Sequence, residues 1–207
     1  MVTLFHTAPY GAVHTVTYGT VAGKSRSRLG RDDWIAAALT ALAAGGPAAV
    51  AVEPLAARLG ATKGSAYWHF ANRDDLLRAA LERWEADETD AVIAVVEVES
   101  DPGARLRALL ARAFARPDHN LAAALAGSAD PVVVAVLTRV TERRIDYLTT
   151  LFADAGFPPA AARDRAVLIY SAYLGAAQLW RTVPTALPST DSAWEHFLAQ
   201  ADSMLLR

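Results

Sequence analysis

The sequence predicts an all-α chain of about nine helices, with a small N-terminal head and a larger helical body. Three observations predict it. Apolar residues recur at three- and four-residue spacing, as in Ile35, Ala38, Leu39 and Leu42. Helix stops punctuate the chain at Gly45-Gly46-Pro47, Gly60, Asp101-Pro102-Gly103, Asp130-Pro131, Gly156-Phe157-Pro158-Pro159 and Pro184 to Pro188. Strand signals are few, since Val132-Val133-Val134 is short and flanked by helix formers.

Taken in order, residues 1–23 carry scattered Thr, Gly and aromatics without helical period, and are expected to be an irregular extension. Lys24, Arg26, Arg28 and Arg31 follow as a basic arm, either a solvated tail or a contact to phosphates or the minor groove. Helices are expected at about Asp32 to Ala44, Val52 to Leu59, Lys63 to Phe70 and Asp74 towards Val98. They continue at about Ala104 to Ala115, Asn120 to Ala126, Pro131 to Ala155, Pro159 to Thr182 and Ser192 to Leu206. The expected division is an irregular extension at 1–23, a small head with its basic arm at 24–78, and a larger helical body at 79–207.

At 207 residues and 53% hydrophobic, the chain has enough apolar surface for a substantial core. It has no cysteine, so disulfide frameworks and thiolate metal sites are excluded. No apolar run approaches a membrane span, and no charged segment followed by an apolar one opens the chain. A cytoplasmic protein with no membrane partner is expected. The net charge of −2 hides an asymmetry: residues 1–80 carry +3 and residues 81–207 carry −5. A basic head on an acidic body suits a DNA-binding part joined to a part with another task.

The run from Val52 to Leu77, VEPLAARLGATKGSAYWHFANRDDLL, concentrates the functional signal. Leu55, Ala56 and Leu59 form an apolar patch, and Gly60 stands where a helix must stop and turn. Ala66 and Phe70 are four apart and point inward together, leaving Lys63, Ser65, Tyr67, Trp68 and His69 largely outward. Donors and aromatics on the outer face of so short a helix suit a groove of DNA. This run resembles the helix-turn-helix of TetR-type bacterial transcription regulators over roughly Arg31 to Leu81. The turn glycine, the Lys-Gly-Ser opening, the Tyr-Trp-His-Phe end and the basic-acidic-Leu-Leu sequence after it carry the resemblance. Beyond that stretch only the helical architecture is similar.

The resemblance implies that Lys63, Gly64, Ser65 and Trp68 face base edges: Lys63 towards guanine O6 or N7, Trp68 over a thymine methyl, Gly64 giving close backbone approach. It implies that Tyr67, His69 and Arg73 face phosphates and set register. Two departures stand out. Ala51 and Val52 replace the usual hydroxyl that caps the second helix. Glu53 occupies a position where a basic or polar residue often helps read DNA; it is either a first-turn partner of the helix dipole or an acceptor from a cytosine amine.

A single helix-turn-helix reads too few base pairs for genomic specificity, so a homodimer on a pseudo-palindromic operator of double-stranded DNA is expected. Ala172, Gly175, Ala176 and Leu179 form a small-residue face on one late helix. Trp194, Phe197, Leu198, Ala201 and Leu205 form a stripe on the last. By pattern alone both stripes equally suit packing within one subunit; the resemblance implies the dimer interface. It also implies a small-molecule effector pocket in the body. Trp84, Phe114, His119, Tyr147, Phe152, Tyr173, Gln178 and Trp180 are candidates for its lining, although such residues equally describe an ordinary core.

The function expected is a homodimeric repressor released from its operator by a small-molecule effector. The alternative is an effector-independent DNA-binding regulator or activator. No Ser/His/Asp order, phosphate-loop glycine pattern or HExxH occurs, so no enzyme is expected. His6, His14, His69, His119 and His196 are scattered, so neither a metal nor another cofactor is expected.

Overall fold

The computed structural model describes residues 29–114 and 120–205. Helix α1, Arg31–Gly45, opens where the Gly30 N–H donates to the Asp33 carboxylate at 2.8 Å, which satisfies a backbone donor left free at a helix start. Trp34, Ile35, Ala38, Ala41 and Leu42 make its buried face. Gly46 takes φ 69° and turns the chain into a 3-10 segment, Pro47–Ala49, that leads to α2, Val52–Leu59. Helix α2 buries Val52, Leu55 and Ala56, and stops at Gly60 in the left-handed region (φ 64°, ψ 32°). There the N–H groups of Gly60 and Ala61 return to the carbonyls of Ala57 and Ala56, a closure that favours glycine at the turning residue.

Helix α3 spans Lys63–Tyr67 and α4 spans Arg73–Glu85. The expected helix from Asp74 towards Val98 is one rod with a fault in it. After α4 comes a π-helical turn, Ala86–Asp90, and then α5, Ala91–Val96. The rod widens where Arg144 reaches it: Nε donates to buried Thr89 Oγ1 at 2.9 Å and Nη2 donates to the Glu88 carbonyl at 3.0 Å. A π turn releases a carbonyl from the regular ladder, and the guanidinium satisfies it.

The remaining helices are α6 (Pro102–Phe114), α7 (Leu121–Leu125), α8 (Pro131–Asp154), α9 (Pro159–Thr182) and α10 (Asp191–Leu205). A 3-10 segment, Pro184–Ala186, precedes α10. Counting the α4–α5 rod once, the described residues form nine helices and no strand. No helix among them is long and apolar enough to cross a membrane.

Two apolar clusters hold the chain. The first joins α1 to α4 with α7 and the first half of α8, around Trp34, Leu42, Leu55, Leu77, Leu81, Val133 and Val140. The second joins α6, the second half of α8 and α9, around Leu106, Leu151, Phe152, Ala166 and Ile169. Each fully buried leucine in these clusters contributes about 1.5–3 kcal/mol. The expected head boundary after residue 78 lies inside α4, and the first cluster extends across it. Helices α4 and α8 are further tied by the buried Glu85 carboxylate, which accepts from Arg139 and lies 3.8 Å from Arg143.

Candidate nucleic-acid interface

The short α3 is built by its cap. Thr62 Oγ1 accepts from the Ser65 N–H at 3.3 Å, which fixes the first turn of a helix too short to hold by propensity. The sequence reading passed over Thr62, although a hydroxyl three residues before a free N–H is a local signal. Ala66 is the one buried residue of α3, and Phe70 anchors the turn after it. The helix ends at Tyr67, earlier than the expected Phe70, and a turn carries Trp68 and His69.

With Ala66 and Phe70 inward, the rest of the segment faces out. Lys63 and Gly64 are exposed, and Ser65 is partly exposed. Tyr67 is 54% exposed and Trp68 77% exposed. Gly64 is not needed by the protein's own packing: a Cβ placed there would meet only Thr62 Oγ1, at 3.7 Å. Glu53, near the start of α2, reaches across to the Lys63 ammonium and pairs with it. That hydrogen bond, then its charge, raises the Lys63 pKa and lowers that of Glu53. Ala51 precedes α2 with no side-chain cap.

His69 and Arg73 are placed differently from the expectation that both face phosphate. His69 is partly buried, with Nε2 3.3 Å from the Leu29 carbonyl, to which it donates as the Nε2–H tautomer. The Arg31 guanidinium lies 5.1 Å from the centre of the Phe70 ring beside it, so the base of the N-terminal arm is seated on α3's own anchor. Arg73 is turned inward. Its Nε donates to the Val50 carbonyl at 3.2 Å and its Nη2 to the Pro47 carbonyl at 2.6 Å. Its Nη1 donates to Asp74 and to Asp130, each at 2.8 Å.

Asp130 is the cap of α8: its Oδ1 accepts from the N–H groups of Val132 and Val133 at 3.0 and 3.4 Å. Partial burial pushes the Asp130 pKa up, but Arg73 and the two N–H groups outweigh it, and the carboxyl lies below its ordinary value. For Arg73 burial acts to lower the pKa, and the bonds to Asp74 and Asp130 outweigh it, raising the value. Arg73 thus ties the α1–α2 connection, the start of α4 and the start of α8. The sequence marks Asp130-Pro131 only as a break between helices and gives no sign of the partnership with Arg73. Arg26 and Arg28 of the arm lie outside the described residues.

The residues expected to line an effector pocket are dispersed. Trp84 is in the first cluster, under the Arg144 guanidinium at 5.1 Å. Phe114, Phe152, Tyr147 and Tyr173 belong to the second, with Phe114 and Tyr173 edge to face. The Tyr147 hydroxyl donates to Glu97 at 2.7 Å. Gln178 and Trp180 are exposed on α9, and His119 lies outside the described residues. A groove of about 440 Å³ opens elsewhere, between α7, α8 and α9. Ala122, Ser128, Val134, Thr138, Thr141, Glu142, Tyr170 and Leu174 line it, and the Thr141 and Tyr170 hydroxyls are 3.2 Å apart.

The two expected interface stripes also divide. Ala172, Gly175 and Leu179 are exposed on α9, whereas Ala176 is buried. On α10, Trp194 and Leu198 pack against their own second cluster, and Phe197 is exposed and stacked on Trp194. The side chains of Ala201 and Leu205 lie outside the described ones. Two exposed residues of α9 that the sequence reading did not single out, Val167 and Leu168, extend its apolar face.

Comparison with known proteins bears on this arrangement. The sequence matches none of the curated proteins with which it was compared. In fold it is similar to a transcriptional regulator from Rhodococcus sp. Rha1, at 24% identity and a TM-score of 0.68, over 86% of this chain and 96% of that one. It is similar to a TetR transcriptional regulator from Legionella pneumophila at 18% identity and a TM-score of 0.68, over 86% and 99% of the two chains. A third is AibR, solved in complex with isovaleryl coenzyme A and operator DNA, at 17% identity and a TM-score of 0.66, over 85% and 97%. Residues 35–80, which carry α2, α3 and most of α1 and α4, match the family model of bacterial regulatory proteins of the tetR family. Residues 35–80 thus carry the helix-turn-helix of the tetR family of bacterial regulatory proteins, and the chain as a whole shares the fold of these transcriptional regulators.

Proposed function

We propose that the protein is a cytoplasmic homodimeric repressor, binding a pseudo-palindromic operator through two copies of α3 and released by a small-molecule effector. The head would be residues 24–78 and the effector-binding and dimerising body residues 79–207. The observation that carries the DNA-binding part is the outward display of Lys63, Tyr67 and Trp68 on a five-residue helix anchored by Ala66. A helix with one buried residue contributes little to a core, and this one presents donors and aromatic rings at a span that suits the major groove. Lys63, Ser65 and Trp68 are assigned to bases and Tyr67 to phosphate; His69 and Arg73 position the segment from behind.

The test is binding of the purified protein to the DNA upstream of its own gene, against scrambled DNA, at two salt concentrations. Tight, salt-dependent binding to a dyad-symmetric site is expected; binding indifferent to sequence would sink the proposal. Gly64→Ala separates fold from function. Alanine is the better helix former, so the melting temperature is expected to hold or rise slightly. Operator affinity is expected to fall at least tenfold, because the methyl intrudes where backbone approaches the bases. Unchanged affinity would show that α3 does not come that close.

An exposed apolar stripe on α9 supports the dimer: Leu168, Ala172, Gly175 and Leu179 follow at spacings of four, three and four, and exposed Val183 comes just after the helix end. The groove between α7, α8 and α9 supports the effector, being of ligand size with apolar walls and a few hydroxyls. Its one charged lining residue is Glu142, which favours a neutral or cationic ligand over a polyanion such as the isovaleryl coenzyme A that AibR holds. The groove adjoins the Arg73 tie, because Ser128 on its rim accepts from the Asp130 N–H at 3.2 Å. A ligand that binds one setting of this rim better than the other shifts the head through Asp130 and Arg73. Thr138→Trp, at an exposed position on the groove wall, is expected to abolish release by any effector found while sparing operator binding. If release survived, the effector site would be elsewhere.

A further inference from the structure

We infer that Glu53 and Lys63 act as one reading unit, and that it recognises a single G·C base pair in each operator half-site. The inference rests on the proposal that α3 enters the major groove, and adds which base pair this outer face selects. The two residues come from different helices, ten positions apart, and meet in ion-pair contact on the outer side. Their side chains remain 69% and 61% exposed, so the pair is presented to a ligand and not sealed in the head. Each keeps the other charged, Glu53 being lowered and Lys63 raised.

A donor and an acceptor at hydrogen-bonding separation match the major-groove edge of one base pair. In G·C, guanine N7 and O6 are adjacent acceptors and the cytosine N4 amine is a donor at the end of the row. The ammonium takes the two-acceptor side and the carboxylate takes the amine, with neither facing its own kind. In A·T the adenine amine lies between two acceptors, with the thymine methyl beyond. There the carboxylate is flanked by oxygen and nitrogen lone pairs, and the ammonium finds one acceptor instead of two. The pair also carries no net charge, so it adds nothing to attraction for phosphates in general. A lone lysine at position 63 would bind backbone everywhere; one held by Glu53 favours the site that satisfies both.

The experiment selects sites from a random duplex library with the full-length wild-type protein. It then measures the affinity cost of every base change in the selected half-site for wild type, Glu53→Ala and Lys63→Ala. One G·C position is expected where replacement by A·T costs the wild type roughly tenfold to a hundredfold. In both variants that penalty is expected to shrink to within about threefold, at the same position, with the others unchanged. In Glu53→Ala the freed Lys63 turns to phosphate, so the slope of log affinity against log salt steepens by about 0.9 per head. Both side chains are exposed, and coinciding thermal melts will show that neither variant alters the fold. A uniform change of affinity at every position in Glu53→Ala, or penalties lost at different positions in the two variants, would overturn the inference alone. Selection of no preferred site by the wild type would overturn the operator reading as well.

Discussion

Changing both Leu168 and Leu179 to glutamate is expected to yield a monomer whose operator affinity is lower by roughly two to four orders of magnitude. The reason lies in the exposure of α9. Leu168 is 62% exposed and Leu179 41%, with only Ala172 and Gly175 between them on the same face. Small residues between two leucines let a second helix approach closely, and the leucines then cover one another. Across a two-fold axis each glutamate meets its own copy or a neighbouring one, so four carboxylates enter an apolar contact without a cation. The monomer itself should fold normally, because Leu168 is already mostly in water and Leu179 is exposed rather than part of either core cluster. The loss in DNA binding follows from linkage: two heads on one dimer bind two half-sites at a high effective concentration, and separate heads do not. Sedimentation gives the mass and operator titration the affinity. A dimer of wild-type affinity would place the interface away from α9.

The second large effect is expected in stability. Arg73→Ala removes the donors that serve the Pro47 and Val50 carbonyls and the Asp130 carboxylate. The side chain is about one-third exposed, so water replaces part of what is lost, and the cost is set at about 2–3 kcal/mol. For a chain of this size that corresponds to a melting temperature lower by about 4–12 °C. Arg73→Lys should recover only a minor part, because one ammonium cannot reach three directions in the plane of a guanidinium.

The deficit has a pH signature. Asp130 has its folded pKa below the ordinary value of 3.8, so its ionised form contributes fully above that value. The contribution fades as pH falls through the lowered folded pKa. The gap between wild type and Arg73→Ala is therefore expected to be constant from neutrality to about pH 5, and to narrow below about pH 4. Urea melts at pH 7, 5 and 3.5 will measure it. A gap that stayed constant to pH 3.5 would leave the two carbonyls, and not Asp130, as the groups that matter.

The sequence by itself determined the local architecture. Helix α2 spans Val52–Leu59 and α9 spans Pro159–Thr182, the ranges expected from periodicity and stop residues. Gly60 is left-handed, and Ala66 and Phe70 are buried together. These features depend on groups within about five residues of one another, where spacing, caps and backbone freedom decide the outcome. The tertiary structure decided what meets across the chain. Arg73 turns to Asp130, 57 residues away, instead of outward. Arg144 meets the rod 55 residues earlier at Thr89, inside its π turn. Glu53 joins Lys63, and the α10 stripe divides between its own core and the surface. A long charged side chain reaches many partners with similar energy, and which one it takes follows from how the helices pack. Periodicity marks the buried face of a helix, but it does not say which neighbour covers that face.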